Sequence, residues 1–113
     1  MSVPPRSLDF ASEADQDLDE IFEYTELRWG YSQALAYFQT ITSVLTGLLS
    51  FPNVGRSHEH VAPGLRSISV SQHVVLYRVH KDRVLIHRVV HYRENIQDAV
   101  AQIAGDDSGD INQ

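Results

Sequence analysis

The residue pattern points to an α+β domain. It has an N-terminal strand, an antiparallel helical hairpin packed on an antiparallel sheet (β-α-α-β-β-β), and room for a short C-terminal helix. Three observations predict it. Residues 12–50 repeat apolar side chains at helical spacing, with one break at Gly30. Residues 65–92 alternate at strand spacing between short polar turns. A chain of 113 residues holds one core and not two. One domain is therefore expected over 1–113, with an ordered core at about 6–100 and an acidic tail at 105–113.

Residues 6–10 (RSLDF) are short and mixed, and fit a first strand. Ser12-Glu13-Ala14-Asp15 has the form of a capping box. Acids at 13, 15 and 17 follow in the first turns, where the helix dipole favours negative charge. Leu18, Ile21, Phe22, Thr25 and Trp29 lie on one helical face, and Gly30 is a natural stop. Helix one is thus expected over 12–29, with Trp29 buried as the last residue of its stripe. A second helix is expected from about 32 to 50, on Ala34, Phe38, Ile41, Val44, Leu45 and Leu48. The short connection makes the two helices an antiparallel hairpin. Residues 52–63 form a loop, opened by Pro52-Asn53.

Strand patterns then take over. In Leu65–Ser71, Arg66, Ile68 and Val70 share one face, and Leu65 shares the other with the serines. Turns at Gln72-His73 and Lys81-Asp82 lead into 74–80 and 83–92, which gives a three-stranded antiparallel meander. Apolar residues of the last strand fall on both parities, Val84, Ile86 and Val90 against Leu85 and Val89. Both sheet faces must therefore be covered. The hairpin can cover one, and the other needs the C-terminal segment or another chain; residues 94–104, with Ile96, Val100 and Ile103 on one side, can form a short helix. Residues 105–113 are expected to be a disordered acidic tail.

Composition excludes several classes of protein. The apolar runs are too short for a membrane span. Met1–Pro5 lacks the charged flank and apolar block of a signal peptide. With no cysteine there is no disulfide, zinc–thiolate site or thiol nucleophile, which suits the cytoplasm. The net charge of −6 conceals a division along the chain. Residues 1–54 carry −6, residues 55–93 carry +5 with all six histidines, and residues 94–113 carry −5. Such asymmetry suggests opposed faces, and an acidic partner for the middle segment.

Several short stretches, in this order and spacing, carry a resemblance: ASEADQDLDEIFEYTELRWG, then Phe51-Pro52…Gly55-Arg56, Gly64-Leu65-Arg66, Leu76-Tyr77-Arg78, and Arg88-Val89-Val90-His91 with Arg93. Over about 6–100 the chain resembles the ParE branch of the RelE/ParE toxin superfamily, the plasmid stabilisation toxins. The resemblance implies a cytoplasmic toxin of a type II toxin–antitoxin pair, neutralised by a ParD-like antitoxin and inhibiting DNA gyrase by binding. The RelE branch instead implies a ribosome-dependent mRNA endonuclease. A non-toxic interaction module of the same fold is a third alternative.

The residues bear on that choice. Arg66, Tyr77, Arg78, Arg88, His91 and Arg93 are the candidates for contact with the target. Guanidinium forks suit carboxylate or phosphate, so direct nucleic-acid binding stays open. RNA cleavage needs a base, an acid and cations, and His91, Tyr92, Arg66, Arg78 and Arg93 have those chemistries. Yet the only lysine is Lys81, in a turn, and no spacing demands catalysis. The arginines can equally pair with the acids of helix one. No Asp or Glu sits beside the His87-x-x-x-His91 pair, and His58-x-His60 lies in a loop, so neither metal nor cofactor is expected. Tyr24 and Leu27 point away from the apolar stripe of helix one and are the candidate antitoxin contacts.

Overall fold

The computed structural model describes residues 6–110. Strand β1 (Ser7–Phe10) leads into helix α1 (Ser12–Trp29) and helix α2 (Tyr31–Gly47). Strands β2 (Arg56–Ser57), β3 (Leu65–Val70), β4 (His73–Val79) and β5 (Arg83–His91) follow, and helix α3 (Ile96–Asp110) ends the described chain. The sheet order is β1-β5-β4-β3-β2. The β3-β4-β5 meander is antiparallel, as expected. β1 lies parallel to β5, with Leu8 opposite Val84, so the sheet is mixed. β2 pairs with β3 inside the segment expected to be loop. Two residues are too few to carry a strand pattern.

Gly30 separates the helices at φ 92, a conformation that costs a residue with Cβ but not glycine. Its N–H closes α1 on the Glu26 carbonyl. The capping box does not form. Ala11 occupies the cap position with no side-chain hydrogen bond, and the Ser12 hydroxyl lies against its neighbour Glu13. Ser12 is already the first helical residue, so it is one position too late to cap.

One core lies between the hairpin and the sheet. It joins Ala14 and Leu18 of α1, Ile41 and Leu45 of α2, and Val70, Val75, Tyr77, Val84, Ile86 and Val89 of the strands. Contrary to the single core expected, a second apolar cluster lies on the opposite face of the same sheet, where Ala99, Val100 and Ile103 of α3 cover Leu65, Leu76 and Val90. Each fully buried aliphatic side chain contributes roughly 1.5–3 kcal/mol. The two-parity pattern of β5 has a specific cause. Leu76 faces Arg88 while Tyr77 faces Ile86, so His87 is an extra residue, a β-bulge. It inverts the alternation: Val84, Ile86 and Val89 face the hairpin, and Val90 faces α3.

Two expectations are corrected. Trp29 is not buried; it is 66% exposed. Burial fades along α1 from Ala14 and Leu18, through half-buried Ile21, Phe22 and Thr25, to a hairpin tip that stands clear of the sheet. The helix expected to stop at 104 runs to Asp110, into the stretch whose composition suggested a disordered tail. Once a helix is nucleated by packing, each further residue adds one backbone bond. Residues 1–5, read as lacking a signal peptide, and 111–113, the end of that tail, lie outside the described residues.

Candidate functional site

The six residues expected to meet a target do not converge. They divide into three structural settings along the sheet.

Arg66 and Tyr77 hold the loop that follows α2. The Tyr77 hydroxyl donates to the Pro52 carbonyl (2.8 Å) and accepts from the Gly55 N–H (3.0 Å). The Arg66 guanidinium donates to the carbonyls of Gly55 (2.7 Å) and Asn53 (3.2 Å). Tyr77 is fully buried, and burial raises its hydroxyl pKa. Gly55 packs so closely on it that an added Cβ would stand 2.5 Å from the hydroxyl oxygen and 2.7 Å from the Ser67 carbonyl. The phrase Phe51-Pro52…Gly55-Arg56 is thus a loop cradled by Arg66 and Tyr77. It leaves Phe51 (72%) and Val54 (63%) exposed beside the exposed Arg56.

Arg78 and Arg88 are also engaged. Arg78 donates from Nε to the Pro63 carbonyl (2.9 Å). Arg88 forks onto Asp17 of α1, with Nε–Oδ2 at 2.7 Å and Nη2–Oδ1 at 3.1 Å. That bond raises the Arg88 pKa, and the side chain is a quarter exposed. Pairing with an acid of α1 was the alternative open for the sheet arginines, and Arg88 adopts it.

His91 and Arg93 sit at the far end of β5 in a run of rings. Tyr37 of α2 meets Nδ1 of His73 at 2.6 Å. The His73 and His91 rings lie edge to face at 5.3 Å, and His91 lies 4.8 Å from the Tyr92 ring. Arg93 stands over Tyr92 at 5.5 Å, and its Nε donates to the Tyr92 hydroxyl (3.1 Å). His91 Nδ1 accepts the Arg93 main-chain N–H (3.1 Å), which places the proton of the neutral ring on Nε2. His73 is half-buried; desolvation first, and His91 second, lower its pKa. Tyr37 and His73 escaped the sequence reading because α2 and β4 meet only in the fold.

Tyr24 (60%) and Leu27 (80%) are exposed on the outer surface of α1, with the Arg28 guanidinium 5.7 Å from the Tyr24 ring. Among the described residues, no group of three or more His, Cys, Asp or Glu side chains has the arrangement to hold a metal ion. Among the same residues, no helix is long and apolar enough to cross a membrane.

Residues 8–96 match the family model described as the ParE toxin of the parDE type II toxin–antitoxin system. The chain is 38% identical over 82 residues to Toxin ParE1 of Caulobacter vibrioides, covering 73% of this chain and 84% of that protein. It is 31% identical over 84 residues to Toxin ParE1 of Mycobacterium tuberculosis, covering 74% and 86%. Among solved structures, it superposes on a chain of the chromosomal ParDE system from P. aeruginosa with TM-score 0.66 and 25% identity, over 76% of this chain and 95% of that one. A chain of the RelBE2 complex from Mycobacterium tuberculosis, at 21% identity and TM-score 0.54 over 77% and 98%, shares the fold. The matched span runs from β1 to the start of α3 and takes in the Tyr77-cradled loop, the Asp17–Arg88 pair and the ring cluster: the chain belongs to the ParE toxin family of type II toxin–antitoxin systems.

Proposed function

We propose that this ParE-type toxin acts by binding DNA gyrase, and that a ParD-like antitoxin neutralises it by covering Tyr24 and Leu27 on α1. Both partners are cytoplasmic. The observation that carries a binding mechanism is the ring of His91, held at Nδ1 by a main-chain N–H rather than by a carboxylate. A general-base histidine ordinarily donates its second ring N–H to an orienting carbonyl or carboxylate, whereas Nδ1 of His91 accepts. Arg66 and Arg88, meanwhile, are engaged in the fold. Arg93, exposed at the strand end, then serves as the contact residue for carboxylate or phosphate groups of the target.

A second reading, ribosome-dependent mRNA cleavage, draws on one feature. His91, Tyr92 and Arg93 bring a proton acceptor, a hydroxyl and a guanidinium to one surface. Induced expression followed by parallel assays of DNA supercoiling and transcript integrity separates the two. Under the binding mechanism supercoiling fails, Arg93→Glu abolishes growth inhibition and His91→Ala is mild. Codon-positioned cleavage lost in His91→Ala or Tyr92→Phe would establish the nuclease instead.

A further inference from the structure

The loop between α2 and β2 turns its main chain inward and its apolar side chains outward. Phe51 and Val54 end one β-turn. The Val54 N–H donates to the Phe51 carbonyl (3.3 Å), and the Phe51 N–H donates to the Gly47 carbonyl of α2 (3.0 Å). Tyr77 and Arg66 take the carbonyls of Pro52, Asn53 and Gly55 and the Gly55 N–H. Gly55 leaves no space for a side chain against the phenol and β3. A loop bonded at so many points has little freedom to rearrange. Yet Phe51 and Val54 belong to neither apolar cluster and stand in solvent. Single exposed apolar residues are ordinary on a protein surface, but two on one immobilised turn make a preformed knob. Arg56 follows them, exposed, and forms no ion pair among the described residues.

We infer that this knob anchors the toxin to its protein target: Phe51 enters an apolar pocket, Val54 packs at the pocket's mouth, and Arg56 meets a carboxylate on the rim. The inference rests on the binding mechanism proposed above, and adds an apolar anchor to the charged contact of Arg93. Aromatic side chains seated in pockets carry a large share of binding energy. A knob held in place before contact also avoids the ordering cost of a mobile loop. Arg56 sets the sign of charge on the partner. A nucleic acid fits less well, because phosphates would meet a chain of net charge −6. A second copy paired across a two-fold axis would set Arg56 against Arg56.

The test titrates the full-length toxin with purified gyrase in the absence of DNA and measures growth inhibition in parallel. Phe51→Ala should weaken gyrase binding by roughly tenfold or more and lower growth inhibition with it. Its thermal midpoint and its affinity for the cognate antitoxin should stay unchanged. Phe51→Leu, which keeps an apolar knob, should recover part of the loss. Arg56→Glu should weaken binding more than Arg56→Gln, which removes the charge without reversing it. Gyrase binding that ignores all four variants would overturn the inference and leave the gyrase reading standing. A wild type that inhibits growth without binding gyrase would overturn that reading instead. Growth inhibition then decides the knob: a loss in Phe51→Ala upholds it, and no change overturns it. A wild type that does neither sinks both. Equal losses of affinity toward the antitoxin, or toward linear duplex DNA, would assign Phe51 to those partners and overturn the inference. So would a concentration-dependent dimer, seen by light scattering, that Phe51→Ala dissolves.

Discussion

Asp17 and Arg88 fasten the first helix to the last strand. One carboxylate accepts the Arg88 fork and also the main-chain N–H of Val89 (2.9 Å). That N–H lies just past the bulge, where β5 has run beyond its pairing with β1. Removing either side chain leaves a partly buried charge without its partner. Asp17→Ala also leaves the Val89 N–H unsatisfied. We expect Asp17→Ala to cost about 2–4 kcal/mol and Arg88→Ala somewhat less. Urea denaturation of both single variants and the double variant would measure the coupling, and additive losses would show the pair to be independent.

The Tyr77 cradle makes a second prediction. Tyr77→Phe keeps the ring but strands the Gly55 N–H and the Pro52 carbonyl, at about 1–3 kcal/mol. Gly55→Ala should cost at least as much, because its Cβ meets the Ser67 main chain as well as the phenol. Thermal unfolding of the two variants checks both values.

Trp29 now has the opposite expectation from a core aromatic. With two-thirds of its surface in water, Trp29→Ala should change stability by less than about 1 kcal/mol. A loss of 3 kcal/mol or more in denaturant titration would mean that the indole is packed in solution.

Acid should weaken the fold through two histidines. His58 is buried, with its Nε2 at 2.8 Å from the Ser67 hydroxyl. Desolvation, then Arg56 and His60, lower its pKa, and His73 is lowered in the same sense. A histidine whose folded pKa is depressed takes up its proton more readily when unfolded. Its contribution is therefore complete above the unfolded value of about 6.5, and is lost as pH falls below that toward the folded value. Stability measured at pH 5.5 should be lower than at pH 8, and His73→Gln should flatten part of the difference.

Tyr24 and Leu27 make no core contact that their loss would disturb. Tyr24→Asp with Leu27→Asp should leave stability within about 0.5 kcal/mol while weakening antitoxin binding. Calorimetric titration with the cognate antitoxin decides it, and unchanged affinity removes this surface from the interface.

Much of the architecture was legible because it follows from local periodicity. The hairpin needs only the apolar stripes and Gly30, and the meander needs only alternation between polar turns. The pairing of β1 was not legible, since four mixed residues cannot announce a neighbour that follows the hairpin in sequence. Nor was the bulge at His87, although its trace was visible as apolar residues on both parities. The site was less legible than the fold. Arginine at Arg66, Arg88 and Arg93 looks the same in sequence. Only the fold shows that the first holds carbonyls, the second holds a carboxylate and the third projects beside Tyr92. The capping box failed for a similar reason: its spacing was right but the helix began one residue early.

The parallel pairing of Ser7–Phe10 with Arg83–Ile86 joins the two ends of the domain. Sequence-distant pairing of this kind slows folding, while the α1–α2 hairpin and the β3-β4-β5 meander close through neighbours. A chain emerging from the ribosome can form its hairpin early, but β1 must wait for β5, made last among the strands. Until then Asp17 has no Arg88, and the sheet face that Leu18 and Ile41 cover is incomplete. The finished toxin surface therefore waits on β5, and a translation product stopped before Arg83 carries the hairpin without the strand that joins β1 to the meander.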